Sequence, residues 1–488
     1  MRRTGRSSPC LRNSPIFSIY VQKMVVLRIR LKTTAWDGYN IAFILIVLFF
    51  LFLKTHGLRY AVGDENIYFY MGKLIAEGKM PYGDFFYAHP PLPVFIFAII
   101  FKIFGFNFLL LKSVSIIAIT VSSIFLYGTV RENMGKRESI LAVMLFLFSY
   151  DLLRASTHPT GVNVTLMFMM ISTYLFLSDR YLKSGFFLGL ASISGLYSLI
   201  LFPPFFIYLL LKDREGMKSF IFSFILVFGI VNLTLLFLYG DNYLIPVYEY
   251  HGLKPGNPSH NATVFSRVLG MNYQVFLTAV LIIFFVRKLN KKLILNLSIA
   301  ILYLLFLVTL SKVYDFYFIL AFPYLAILGS YSLNGLSEVN GRVYGVIVLL
   351  LLISYIPTIE RYNMHEERFF EKADEISSYV RQNSDTGQTI FGDSASTPLI
   401  ALLSERYIAL DCIDTNVMRF RSNVTDINSV LNQLKATENF KFFIGRGKTG
   451  IYSMKEVRYY LEENCKPAMK FQDRYKGVFY IYDCSHGV

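Results

Sequence analysis

The chain alternates long apolar runs with short clusters of charge. Runs at 39–54, 108–130, 139–153, 161–178, 217–240, 270–286, 293–311, 316–334 and 342–360 approach or reach the roughly 20 helical residues that cross a hydrocarbon layer. Residues 185–211 are interrupted by "SISGLYS" and "FPP" and predict two short helices forming a hairpin. Basic residues recur at alternate turns: Arg131, Lys136 and Arg137; Arg180 and Lys183; Lys212 and Arg214; then "RKLNKK" (287–292). Charge of this sign faces the cytoplasm. The pattern predicts a mostly α, polytopic membrane bundle of about 11 spans over 39–360, N-terminus inside and C-terminus outside.

Residues 55–107 then fall outside, as one long loop. Its "PPLPVFIFAIIFKIFG" (90–105) is apolar for only about 15 residues, and as a span it would invert every later loop. It is expected as a helix on or dipping into the outer interface. Upstream, Asp64 precedes an apolar period of Ile67, Met71, Leu74, Ile75 and Gly78, with Asn66, Lys73 and Glu77 opposite. This predicts an amphipathic interfacial helix of about 14 residues, with Asp64 as a favoured N-cap.

From 361 the pattern changes. "RFFEKADEISSYVRQN" has the period of an amphipathic helix, and "QTIFGDS", "RYIALD", "KFFIGRG" and "GVFYIYD" read as short strands. Helical stretches near 396–403, 427–437 and 453–464 separate them, so 361–488 is expected to be a small extracytoplasmic α/β domain. Cys465 and Cys484 flank a hairpin turning near 474–476, almost equidistant from it. A disulfide and two free buried thiols are both open readings. "GRGKTG" (445–450) lacks the spacing of a phosphate loop.

Composition agrees with the pattern. Hydrophobic residues make up 54% of the 488, and mean hydropathy is +0.47. Of 48 basic and 33 acidic residues, 17 of each lie from position 361 onward. The whole net charge of +15 therefore lies in the membrane portion. Cytoplasmic loops and phosphate-bearing ligands account for it better than nucleic acid does. Residues 1–38 are expected as a basic cytoplasmic tail, since they lack the compact apolar core and cleavage site of a signal peptide.

The chemistry concentrates in 63–91, "GDENIYFYMGKLIAEGKMPYGDFFYAHPP". The succession "DE-x-x-Y", "G-x-x-P-Y-x-D-F-F", "H-P-P-L" and "F-G-F-N", followed by Lys112, resembles the first external loop of the GT-C superfamily. These membrane glycosyltransferases use polyprenyl-phosphate-linked sugars. The nearest resemblance is to dolichyl-phosphate-mannose protein mannosyltransferases and aminoarabinose transferases. It implies a single sugar moved from a polyprenyl phosphate to a glycan, lipid or protein acceptor on the outer face, with inversion. It implies Asp64, of the Asp64–Glu65 pair, as catalytic base. Phosphate is a good leaving group, so one base and a few cations suffice, whereas hydrolysis with inversion needs two opposed carboxylates.

Asp84, His89, Arg154, His158 and Lys312 are the candidate substrate and phosphate ligands. His89 stands where many relatives have Lys, and Asn163 where they often have an acid; Asn163 is alternatively a helix cap. Each cation has a plainer reading as an interfacial side chain, and Asp84 as a turn residue in "PYGD". No cofactor is implied. Asp64, Glu65, Asp84 and a histidine in one loop leave a divalent metal open. The loop 241–269 is a candidate lid, or a plain surface loop. Asp393 in "FGDS" stands at a strand end, as a site residue or a loop cap. Asn261 and Asn423 begin N-x-T sequons. A transporter or flippase of polyprenyl-linked lipid is the alternative class, but no internal repeat supports it. An asparagine-modifying oligosaccharide transferase needs a "WWD"-type motif in the outer domain, and the single Trp is Trp36.

Overall fold

A computed structural model describes residues 37–447 and 449–485; residues 1–36 of the basic tail, Trp36 among them, lie outside the described residues. Every predicted apolar run is helical, with breaks the hydropathy pattern does not mark. Among the described residues, five helices are long and apolar enough to cross a membrane: Gly38–Gly57, Phe108–Asn133, Arg214–Tyr239, Lys291–Thr309 and Gly341–Glu366. A sixth is obtained if Pro258–Met271 and Tyr273–Phe285, bent by 82°, form one broken span. Shorter apolar helices, among them Leu92–Phe104, Val162–Leu177 and Leu196–Lys212, complete the bundle. The run 139–153 is two helices, Lys136–Leu147 and Tyr150–Ala155. The loop 241–269 is largely helical.

The bundle carries large apolar side chains on its outside, such as Leu211, Leu233, Phe237 and Phe284, as a lipid-facing surface does. Its interior holds paired small polar groups. Ser172 and Ser184 bond across two helices, and Thr173 meets Tyr324 at 2.9 Å. Asn163 is not a cap. Its Nδ2 donates to Ser115 Oγ (2.7 Å) and Ala155 O (2.8 Å), tying neighbouring segments together.

The helix Glu65–Ala76 ends where the sequence supplies a stop. Gly78 takes a positive φ of 100°. The amides of Gly78 and Lys79 close back on Ile75 O and Leu74 O, a Schellman ending. Gly72 lets this helix meet Leu92–Phe104 closely, since a Cβ there would lie 2.7 Å from Phe97 Cβ. Its polar side faces water only at its C-terminal end, where Glu77 is exposed. Asn66 is fully buried, donating to Ala61 O (2.8 Å) and Ala395 O (2.7 Å), and Tyr70 OH accepts from Ile408 N (2.8 Å). The expected interfacial helix is thus sandwiched between Leu92–Phe104 and the C-terminal domain.

That domain begins later than the composition shift, because Gly341–Glu366 continues unbroken past 361. Its five-stranded sheet has the order β2-β1-β3-β5-β4, with β1 Thr389–Gly392, β2 Tyr407–Ile408, β3 Phe440–Arg446, β4 Lys466–Asp473 and β5 Gly477–Asp483. β2, β1 and β3 are parallel, and β4–β5 is the antiparallel hairpin. Cys465 and Cys484 form the disulfide across its open end. One face of the sheet shares a core with the external loop, where Ile390, Ile400, Phe442 and Phe479 join Ile67, Tyr70 and Phe97. The other face is covered by Ile427–Lys435 and Lys455–Asn464. Asp393, at the end of β1, accepts from Ser396 Oγ (2.9 Å) and so caps a loop.

Candidate active site

Asp64 precedes the helix Glu65–Ala76 with helical backbone angles (φ −62°, ψ −22°), and its carboxylate bonds no amide of the first turn. The expected N-cap bond is absent, and the side chain is left to face two adjoining cavities. One is lined by Asp64, Tyr68, His89, Tyr250, His251, Lys254, Tyr314, Asp414 and Asn416. The other is lined by Asp64, Glu65, Asp151, Arg154, His158, Asp315, His365 and Lys476. Asp64, Thr160 and Phe316 belong to both walls. Asp64 keeps an exposed edge at the mouth of these cavities, yet the protein packed around it pushes its pKa up to about 6, and Asp414 adds to this by repulsion while Lys254 opposes it.

Glu65 points the other way. It is 1% exposed, with Oε1 2.9 Å from Lys112 Nζ and Oε2 2.9 Å from His158 Nδ1. Burial alone would raise its pKa, but Lys112 and His158 override that and hold it at about 2. Lys112 is itself fully buried and also donates to Thr157 O (3.0 Å). Two adjacent carboxylates therefore have unlike environments: one uncompensated at a cavity wall, the other neutralised inside the protein.

The remaining expected residues divide. His89 lines the first cavity, 5.1 Å between ring centroids from His251. Burial, then His251 and Lys254, keep it well below the ordinary histidine pKa, so it is a neutral imidazole rather than a phosphate-binding cation. Arg154 and His158 line the second cavity. Arg154 is held by Asp315 (2.8 Å) and Asp151 (3.5 Å). Asp84 is exposed and lines neither cavity; its Oδ2 accepts from Met80 N (2.6 Å), which makes it the turn residue of "PYGD". Lys312 also lines neither wall, lying 5.5 Å from the centroid of the Tyr314 ring. The structure does not bring Asp64, Glu65 and Asp84 together as a ligand set.

His251, Lys254, Asp414, Asn416 and Lys476 line the cavities without having been singled out. His251 and Lys254 sit within the stretch marked as a candidate lid. His251 donates from Nε2 to Ala88 O (3.0 Å), leaving Nδ1 to accept from Lys254 Nζ (3.1 Å). Burial lowers the Lys254 pKa to about 8 against the pull of Asp414 and Asp64. Asp414 and Asn416 come from the C-terminal domain, where "DCIDTN" carries no signal of a site. The sequon side chain Asn261 is spent, donating to Leu310 O (3.0 Å) and accepting from Val313 N (2.9 Å).

Comparison with known proteins gives the class. Residues 88–238 match the family described as dolichyl-phosphate-mannose-protein mannosyltransferase. GPI mannosyltransferase 1 of Saccharomyces cerevisiae is 24% identical over 247 residues, which is 48% of this chain and 60% of that protein, so the match spans less than two thirds of the relative. ArnT from Cupriavidus metallidurans bound to undecaprenyl phosphate superposes with a TM-score of 0.65 at 12% identity, covering 93% of this chain and 99% of that one. The Archaeoglobus fulgidus oligosaccharyltransferase gives 0.58 at 12%, covering 90% and 72%. At such identity the structural likeness speaks for the fold. The chain has the fold of the GT-C superfamily of membrane glycosyltransferases and resembles it in sequence.

Proposed function

We propose that the chain is an integral membrane glycosyltransferase. It moves one sugar from a polyprenyl-phosphate-linked donor to an acceptor on the outer face, with the N-terminus cytoplasmic and the C-terminal domain outside. Its relatives support the lipid carrier. ArnT binds undecaprenyl phosphate in the matched structure, and AglB from Archaeoglobus fulgidus is matched in complex with a dolichol-phosphate.

The observation that carries the reading is Asp64: an unpaired carboxylate, raised to about 6, at the junction of two cavities. A base near that value is ionised at neutral pH yet basic enough to accept a proton. Asp64 takes the proton of the acceptor hydroxyl as its oxygen attacks the anomeric carbon. The bond to the phosphate oxygen breaks with inversion, and the polyprenyl phosphate leaves with the electron pair. Lys254, with neutral His89 and His251 as hydrogen-bonding neighbours, lines the cavity that suits the leaving phosphate. The cavity of Arg154, His158 and Lys476 is left for the acceptor. Glu65 acts by fixing the helix that holds Asp64.

The test is Asp64→Asn in a membrane transfer assay with lipid-linked sugars. Removal of a general base slows transfer by about 100- to 10,000-fold. Near-wild-type transfer by the variant removes Asp64 from this role.

A further inference from the structure

His158 and His365 line the second cavity, and with Glu366 they also line a smaller neighbouring one; each of the three offers one ligand atom within 4.8 Å of the others. His365 and Glu366 close the helix Gly341–Glu366, and His158 sits on the loop between Tyr150–Ala155 and Val162–Leu177. Glu65 Oε2 faces His158 Nδ1 at 2.9 Å, which makes Nδ1 the protonated nitrogen and turns Nε2 inward. That Nε2 is 4.0 Å from Glu366 Oε1. Thr157 Oγ1 is within 3.3 and 3.4 Å of the two Glu366 oxygens. Two of the three donors are therefore already oriented by outer partners, as metal-binding imidazoles and carboxylates are. No hydrogen bond to the His365 ring is found among the described residues; its ring meets only that of His158, at 6.5 Å.

We propose that this cluster binds a divalent transition metal, zinc by the chemistry of its donors. Two imidazoles and a carboxylate are the donor set of a three-ligand zinc site that keeps one position open. Zinc–nitrogen bonds of about 2.0–2.1 Å place ligand atoms roughly 3.3 Å apart in a tetrahedron. The present spacing, within 4.8 Å, exceeds that by at most about 1.5 Å. Harder ions such as magnesium and calcium prefer all-oxygen shells and are disfavoured here. Of the nearby buried cations, Lys112 Nζ is paired with Glu65, and Lys54 Nζ donates to Leu153 O at 2.8 Å while its charge also acts on Glu366. Arg368 and Lys476 line the adjoining space, so an anionic or water oxygen suits the open position. The bound ion clamps the end of the last long helix to the 156–161 loop. Through His158 and Glu65 it reaches the helix that carries Asp64. The site is distinct from Asp64 and stands whether or not the transfer reaction proposed above is correct.

The test is metal binding by the full chain in detergent, stripped with chelator and titrated with Zn2+ against a chromophoric competitor. One zinc per chain is expected, and Co2+ in its place is expected to show the intense visible bands of four-coordination. Loss of an outer partner alone costs about 10–100-fold in affinity, so His365→Ala is expected to weaken binding by more than roughly 100-fold. The His365 side chain makes no hydrogen bond among the described residues, so the stripped variant should unfold at the temperature of the stripped wild type. Zinc should raise that temperature in the wild type only. Absence of saturable one-to-one binding, or equal affinity in His365→Ala, overturns the site.

Discussion

Replacing Lys112 with Met leaves Glu65 as a buried carboxylate with only His158 beside it. Both members of the pair are within 1% of full burial and 2.9 Å apart. Two routes give the magnitude. Breaking a buried pair from one side costs about 3–5 kcal/mol. The fall of the Glu65 pKa from 4.5 to about 2, at 1.36 kcal/mol per unit, amounts to about 3 kcal/mol shared between Lys112 and His158. An unfolding entropy near 2.1 cal/mol/K per residue converts 3–5 kcal/mol into a fall in melting temperature of roughly 3–5 °C for a chain of this size. Scanning fluorimetry of the detergent-solubilised chain reads it. The double variant Glu65→Gln, Lys112→Met should recover most of the loss, because neither charge is then stranded. The depressed pKa also fixes the pH window. Stability from Glu65 is complete above its unfolded value of about 4.5 and is lost as pH falls towards about 2. Wild type and Glu65→Gln should therefore converge over that interval. A Lys112→Met protein as stable as wild type, or a double variant showing the sum of both single losses, refutes the reasoning.

Transfer should rise with pH through about 6 as Asp64 ionises. Asp414→Asn removes its main repulsive partner and should move that acidic limb to lower pH; an unmoved limb breaks the coupling between the domain and Asp64. Opening the Cys465–Cys484 link, which closes a span of 19 residues, should cost about 3 kcal/mol. Hydrogen exchange should locate the loosening in the β4–β5 hairpin rather than in the helices. Gly72→Val places a Cβ 2.7 Å from Phe97 Cβ and 3.1 Å from its backbone carbon. Overpacking of this kind costs about 1–3 kcal/mol, read as a lower melting temperature, and a neutral Gly72→Val would mean that the two helices separate freely.

The helical bundle, the α/β character of the last 120 or so residues, and the hairpin across Cys465 and Cys484 are all legible in the chain. They rest on local terms: apolar run length, period and turn residues. Adjacent identical chemistry is not legible. Asp64 and Glu65 are neighbours in sequence, but Lys112 and His158, 47 and 93 positions on, neutralise only the second. Asp84 and Asp64 share a loop, yet a bond to Met80 N turns Asp84 out to solvent. Asn66 reads as a solvated position until the C-terminal domain covers it. His251, Lys254, Asp414 and Asn416 reach one cavity from segments that only the fold brings together. Local pattern specifies which elements form, because it acts over a turn or two of chain. Which charge is paired, buried or left free depends on groups distant in sequence, and that was decided by tertiary packing.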